Sequence, residues 1–145
     1  RNSYVLDVGC GVGITACFIA KKHGCRVVGV DLSERMIDRA NEGVKRKGVE
    51  DRVEFQVADA QKLPFADALL DVVISESVTS FTKDKGKTIR EYVRVTKPGG
   101  YIGLNETTWM NTKPPKELIE YVYRAMGGIK PETSNVWKEL WKVLD

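Results

Sequence analysis

Three glycines at alternate positions, Gly9, Gly11 and Gly13, follow the apolar run Tyr4-Val5-Leu6-Asp7-Val8 and precede a stretch of helical character from Ile14 to His23. No other feature of the 145 residues constrains the fold as strongly. Glycine lacks a Cβ and permits positive φ, so the backbone there can come close to a ligand at the N-terminal end of the next helix. The run before the turn shows no polar alternation until Asp7, as expected of a central strand covered by helices on both faces.

The same unit recurs along the chain. Lys21 and Lys22 fall in the last turn of the first helix, with Gly24 beyond it as a stop. Arg26–Val30 reads as a second strand, and Ser33 then caps a helix with Met36, Ile37 and Ala40 on its inner face, ended by Gly48. Val53, Phe55 and Val57 alternate with Glu54 and Gln56, which predicts a half-buried third strand at a sheet edge. A fourth strand follows at Asp71–Ser75, then a helix over about Lys85 to Thr96 that buries Ile89, Tyr92 and Val93. Lys97-Pro98-Gly99-Gly100 reads as a turn into a fifth strand, Tyr101–Leu104.

This alternation predicts an α/β fold: a doubly wound, mainly parallel, Rossmann-like sheet over residues 1–104. Residues 105–145 read as a helical appendix of the same domain. Its two helical stretches, Pro115 to Met126 and Thr133 to Leu144, are separated by Gly127-Gly128 and Pro131. Apolar stripes on both (Leu118, Ile119, Val122, Met126; Val136, Trp137, Leu140, Trp141, Leu144) predict ordinary core packing, with a lid or hydrophobic-substrate wall as the sharper alternative.

Composition narrows the class. The 23 basic and 20 acidic residues are spread along the chain without a concentrated block, so no nucleic-acid partner is expected. No apolar run approaches the roughly 18 residues that span a bilayer. Cys10, Cys17 and Cys25 are odd in number and lack C-x-x-C spacing, which predicts buried, reduced thiols in a soluble cytoplasmic protein, with neither a disulfide framework nor a metal site. His23 reads as a solvated helix end, and Lys45-Arg46-Lys47 and Lys83 to Lys87 read as solvated faces.

A glycine turn alone does not choose between ligands, because the dinucleotide fingerprint G-x-G-x-x-G also joins a strand to a helix. Two residues separate the cases. Ile14 stands where that fingerprint has its third Gly or Ala, and Asp7 sits two before the first glycine. A carboxylate there repels a pyrophosphate and attracts a sulfonium-bearing amino acid. Asp31, 22 residues after Gly9 at the end of the second strand, can accept both hydroxyls of a ribose; otherwise it is a helix N-terminal acid beside Ser33.

The segments Val5–Gly13, Val28–Ser33, Ala58-Asp59-Ala60, Leu63-Pro64-Phe65, Leu70-Asp71-Val72-Val73 and Arg94–Gly100, in that order, resemble the type 11 class I S-adenosylmethionine-dependent methyltransferases over roughly residues 4 to 104. That family includes quinone- and sterol-methylating groups. The resemblance implies S-adenosylmethionine as donor, S-adenosylhomocysteine as product and a small-molecule methyl acceptor. It places Gly9 and Gly11 on the methionine portion and Asp7 near its ammonium, directly or through water. Asp31 would hold the ribose, Leu32 and Met36 would pack along the nucleoside, and Asp59 with the Ala60 backbone would read the adenine edge.

Family acceptor sites follow the fourth strand, here Ser75-Glu76-Ser77-Val78, which makes Glu76 the catalytic candidate, as a proton acceptor or as a holder of a cationic substrate. Equally, Glu76 reads as an acid at a helix start capped by Ser75 or Ser77. No Pro-Pro-aromatic tetrad ends the fourth strand and no cysteine follows Cys25, which sets aside exocyclic-nitrogen and carbon-5 pyrimidine methylation. A nicotinamide-dependent oxidoreductase and a non-catalytic binding module remain as alternatives.

The chain opens on its first strand without an initiator Met or the leading helix of relatives, and nothing after Leu104 reads as their final antiparallel hairpin. A truncated chain with weakened donor binding is the expectation, and the edge of the fifth strand is expected to be covered by the tail helices or by self-association.

Overall fold

A computed structural model describes residues 3–142; residues 1–2 and 143–145, with Leu144 of the expected apolar stripe, lie outside the described residues. Five strands, β1 (Tyr4–Val8), β2 (Arg26–Asp31), β3 (Val53–Val57), β4 (Leu70–Glu76) and β5 (Thr96–Asn105), form a parallel sheet in the order β3-β2-β1-β4-β5. As expected, β1 is central and β3 is an edge. Helices α1 (Ile14–His23) and α2 (Glu34–Lys47) cover one face, and α3 (Lys85–Val95) covers the other.

Local chemistry sets the helix ends. Gly24 and Gly48 take the left-handed conformation at φ 66° and 62°, which a side chain would disfavour. The Ser33 hydroxyl accepts the N–H of Met36, and the Asp84 carboxylate accepts that of Lys87 at 2.8 Å. Alternate residues of each central strand point to opposite faces, so Val5 and Val27 meet Ala16, Cys17 and Ala20, while Leu6, Val8, Val28 and Val73 meet Tyr92 and Val95.

On the α1 face, register places Asp7 opposite Gly29, and Gly29 opposite Phe55. The Phe55 ring lies across the two glycines. A Cβ on Gly29 would stand 2.6 Å from its Cδ1, and one on Gly13 would stand 2.3 Å from its Cζ.

Three departures from the sequence reading have identifiable causes. β5 begins at Thr96, directly off α3, so Lys97–Gly100 belongs to the strand as an irregularity where the register with β4 shifts between Leu70 and Val72. Gly100 permits this, because a Cβ there would lie 2.7 Å from the Asp71 carbonyl oxygen. Helix α3 buries Val95 with Ile89 and Tyr92, whereas Val93 is only half-buried. β4 extends to Glu76 and is followed by a single 3-10 turn, Thr79–Phe81, so Glu76 ends a strand and does not start a helix.

The tail contains α4 (Lys116–Ala125), α5 (Ser134–Trp141) and two two-residue strands, β6 (Thr108–Trp109) and β7 (Glu132–Thr133), paired in parallel. Core packing is not what the α4 stripe does: no α4 residue is buried, and Leu118, Ile119 and Met126 are exposed, with Ile119 bordering a cavity that Trp109 and Thr133 also line. α5 packs against α3 with Trp137, Leu140 and Trp141 half-buried and Val136 exposed. Trp141 borders the same cavity as Ile102, on a face of β5; among the described residues the outer hydrogen-bonding edge of β5 has no partner strand. No helix of the described residues is long and apolar enough to cross a membrane.

The Gly29–Phe55 contact has a direct consequence. Gly29→Ala is expected to lower stability by about 1–3 kcal/mol through overpacking in a central strand, and adding Phe55→Leu is expected to restore part of it. Chemical denaturation of the three proteins checks this; equal midpoints for Gly29→Ala and the unaltered chain would contradict it.

Candidate functional site

The order of the sheet reverses between β1 and β4, and a crevice opens there at the carboxyl ends of the strands, as parallel open sheets require. A cavity of about 570 Å³ fills it. The ends of β1 and β2 contribute Val8, Gly9, Val30, Asp31 and Leu32; the segment after β3 contributes Ala58 to Gln61. The far wall is Glu76, Ser77 and Val78, with Phe81 at the end of the 3-10 turn and Thr82 and Lys83 beyond it. Of the residues singled out in the sequence, Gly9, Asp31, Leu32, Asp59, Ala60 and Glu76 are therefore brought together, while Asp7, Gly11 and Met36 do not line the cavity.

The glycine turn differs from a bare row of free N–H groups. Gly9 and Cys10 both donate to the Val30 carbonyl at 2.7 and 2.9 Å, Gly11 donates to Asp31 Oδ2 at 2.9 Å, and Gly13 donates to the Cys10 carbonyl. What the turn offers is bare Cα atoms. A Cβ on Gly9 would strike Val78 Cγ2 at 2.1 Å, and one on Gly11 would meet nothing within 4 Å. Asp31 Oδ1 also accepts the Ser33 N–H at 2.9 Å, so this carboxylate ties the turn to the start of α2 and still keeps lone pairs at the cavity rim.

Asp7 is 5% exposed, and its Oδ2 has no hydrogen-bond partner among the described residues. Burial pushes its carboxyl up to about 7, helped by the charges of Glu76 and Asp31 and opposed by the N–H of Ala16 at the start of α1. Asp59 is exposed, and its Oδ1 accepts the Gln61 N–H at 2.8 Å. Leu32 is exposed on the rim. Neither serine caps a helix: Ser75 is buried and accepts from Tyr92 Oη at 3.2 Å, while Ser77 takes a left-handed φ of 56° in the cavity wall and donates its N–H to Asn105.

Sequence reasoning missed two participants. Lys83, exposed as expected, also lines the cavity, whereas Lys85 pairs with Glu132 at 3.0 Å and is not part of a solvated face. Glu106 accepts the N–H groups of Val78, Thr79 and Ser80. Its position one residue beyond β5, at the carboxyl edge where such sheets bind ligands, was the available signal. Cys10, Cys17 and Cys25 are free and buried. Among the described residues, no group of three His, Cys, Asp or Glu side chains is placed to hold a metal ion.

Comparison with known proteins agrees with this geometry. A family model described as a methyltransferase domain, type 11, matches residues 6–104, and the chain belongs to that family. An uncharacterized protein of Haemophilus influenzae is 33% identical over 98% of this chain and 57% of its own length. The norajmaline N-methyltransferase of Rauvolfia serpentina is 34% identical over 94% of this chain and 43% of its own length. Among solved structures, the YcgJ protein from Bacillus subtilis superposes with a TM-score of 0.83 at 26% identity, over 98% of this chain and 61% of that one. The cyclase SpnF superposes with a TM-score of 0.86 at 25% identity, over 98% and 50%. The chain thus spans about half the length of the relatives it matches.

The elevated Asp7 carboxyl makes a pH signature. A carboxyl that ionises at about 7 when folded and near 3.8 when unfolded holds its proton better in the folded state. Its effect is therefore favourable at low pH, and stability is lost as pH rises between those values, by on the order of 4 kcal/mol in full. Thermal unfolding of the unaltered chain is expected to fall relative to Asp7→Asn as pH is raised from 4 to 8; parallel pH profiles would contradict the assignment.

Proposed function

We propose that this member of the methyltransferase family binds S-adenosylmethionine in the cavity between β1 and β4 and transfers its methyl group to a small-molecule acceptor. The observation that carries this reading is the concentration of acid around a glycine turn. Asp31, Asp59 and Glu76 line the cavity, Asp7 lies buried beside them with an unpartnered oxygen, and among the described residues Lys83 is the single cation in the lining. A dinucleotide would set its pyrophosphate against these carboxylates, whereas a donor with sulfonium and ammonium groups is attracted by them. The fold itself does not decide, because it also serves a cyclase.

The residues present fit the donor. Asp7 Oδ2 is a buried acceptor in want of a cation, and Gly11 leaves open space above its Cα. Asp7 would act on the ammonium directly or through water, and Gly9 and Gly11 would face the methionine chain. Asp31 would accept from the ribose hydroxyls with its remaining lone pairs, Leu32 and Met36 would flank the nucleoside, and Asp59 with the Ala60 backbone would read the adenine edge. The bound donor supplies a methyl already activated on sulfur. The protein has then to align the nucleophile and exclude water, an entropic contribution that needs no catalytic triad. Glu76, exposed at the end of β4 in the cavity wall, would take a proton from the acceptor or hold a cationic one.

The small-molecule class of acceptor draws on relatives such as the norajmaline and tocopherol methyltransferases. Three free, buried cysteines agree with a reducing compartment, and we place the protein in the cytoplasm.

Thermal unfolding with S-adenosylhomocysteine and, separately, with NAD tests the donor assignment, since only a ligand of the folded state raises the midpoint. S-adenosylhomocysteine is expected to stabilise and NAD to leave the midpoint unchanged. Asp31→Ala is expected to weaken the product about tenfold or more, as loss of hydrogen bonds to a charged group implies. Stabilisation by NAD alone would contradict the reading, and a screen of acceptors with labelled donor would distinguish a transferase from a binding module.

A further inference from the structure

The wall of the cavity after β4 is held from behind by a residue that does not line it. Glu106, just past the end of β5, accepts the Val78 and Thr79 N–H groups on Oε1 at 3.2 and 2.7 Å. Its Oε2 accepts the Ser80 N–H at 3.2 Å and the Ser80 hydroxyl at 2.8 Å. One carboxylate thus satisfies three successive backbone donors and a hydroxyl, bonds stronger than neutral ones because the acceptor is charged. From the other side, the Lys130 N–H donates to the Ser80 carbonyl at 2.9 Å, and Tyr92 Oη lies 3.3 Å from Thr79 Oγ1.

The segment so fixed carries Val78, whose Cγ2 occupies the place a Cβ on Gly9 would take, at 2.1 Å. Ser77 and Val78 on one side of the turn, and Phe81 and Lys83 on the other, face Asp31 and Asp59 across the cavity. A shift of the turn therefore moves the wall and the contact on the glycine loop together.

We infer that Glu106 is a positioning residue: by gathering the N–H groups of Val78, Thr79 and Ser80, it seats the wall against Gly9 and fixes the width of the donor cavity. This rests on the donor reading proposed above. Removal of the carboxylate leaves the N–H groups of Val78, Thr79 and Ser80 unsatisfied directly after the left-handed Ser77, whose own N–H donates to the Asn105 carbonyl. The isosteric amide of Glu106→Gln keeps an acceptor for Val78 and Thr79 but opposes an N–H to Ser80.

Calorimetric titration with S-adenosylhomocysteine, at a temperature well below every unfolding midpoint, tests this on the unaltered chain, Glu106→Ala, Glu106→Gln and, as a control, Glu117→Gln on α4. Glu106→Ala is expected to weaken binding about tenfold, Glu106→Gln about threefold and Glu117→Gln not at all. Amide exchange is expected to quicken at Val78, Thr79 and Ser80 in both Glu106 variants while Leu6, Val28 and Val73 stay protected. A folded Glu106→Ala with unchanged affinity overturns the inference; if that variant does not fold, unchanged affinity in Glu106→Gln does so. Failure of the unaltered chain to bind the product overturns the donor reading instead, and this inference falls with it.

Discussion

The ring of Phe55 fills the space that side chains at Gly13 and Gly29 would need, and the layout of the site follows from that exchange of volume. Gly29 sits between Phe55 and Asp7 in one row across the sheet, so a missing side chain in β2 lets an aromatic ring from the edge strand reach the foot of α1. Gly13 is then both the left-handed start of that helix and the surface on which the ring rests. With α1 seated this way, its first turn presents the Ala16 N–H to Asp7, and Gly9 lines the crevice. Packing on the buried side thus fixes the turn, and the turn fixes what the cavity can approach.

Electrostatics extends the same logic. Asp7, Asp31 and Glu76 converge from β1, β2 and β4 because parallel register brings the strand ends level. Convergence of like charges with burial raises the Asp7 carboxyl, a state that a cationic guest relieves. Asp31, by contrast, accepts two backbone N–H groups, those of Gly11 and Ser33. One acid is thereby satisfied within the protein, and its neighbour is left in want of a positive partner. This division of labour favours a cationic guest over a pyrophosphate on electrostatic grounds.

Much of this was legible in the sequence because it is local. Strand and helix limits from Tyr4 to Gly48 follow from runs of β-branched residues, a Ser33 cap and glycine stops, and the structure places them within a residue. Glu76 and Asp31 were found by their position after strands, which any parallel sheet turns into a ligand-facing edge. The rest depends on contacts distant in sequence. Glu106 binds a turn 26 to 28 residues before it, and no periodicity signals such a bond. The α4 stripe has the spacing of a packed helix, yet spacing cannot say whether a facing element exists. Engagement of the Gly9 and Cys10 N–H groups was hidden for the same reason, since their acceptor, Val30, lies on another strand.

On the proposed reading, the buried Asp7 gives up its proton when the ammonium of the donor is placed beside it. Calorimetric titration with S-adenosylhomocysteine at pH 6.5, in buffers of different ionisation enthalpy, measures it directly. With its carboxyl at about 7, Asp7 is mostly protonated at that pH, and a cation placed beside it drives the proton off. The account expects net release of about half a proton or more on binding, lost in Asp7→Asn. Binding with no dependence on buffer, or with the same dependence in Asp7→Asn, would contradict it.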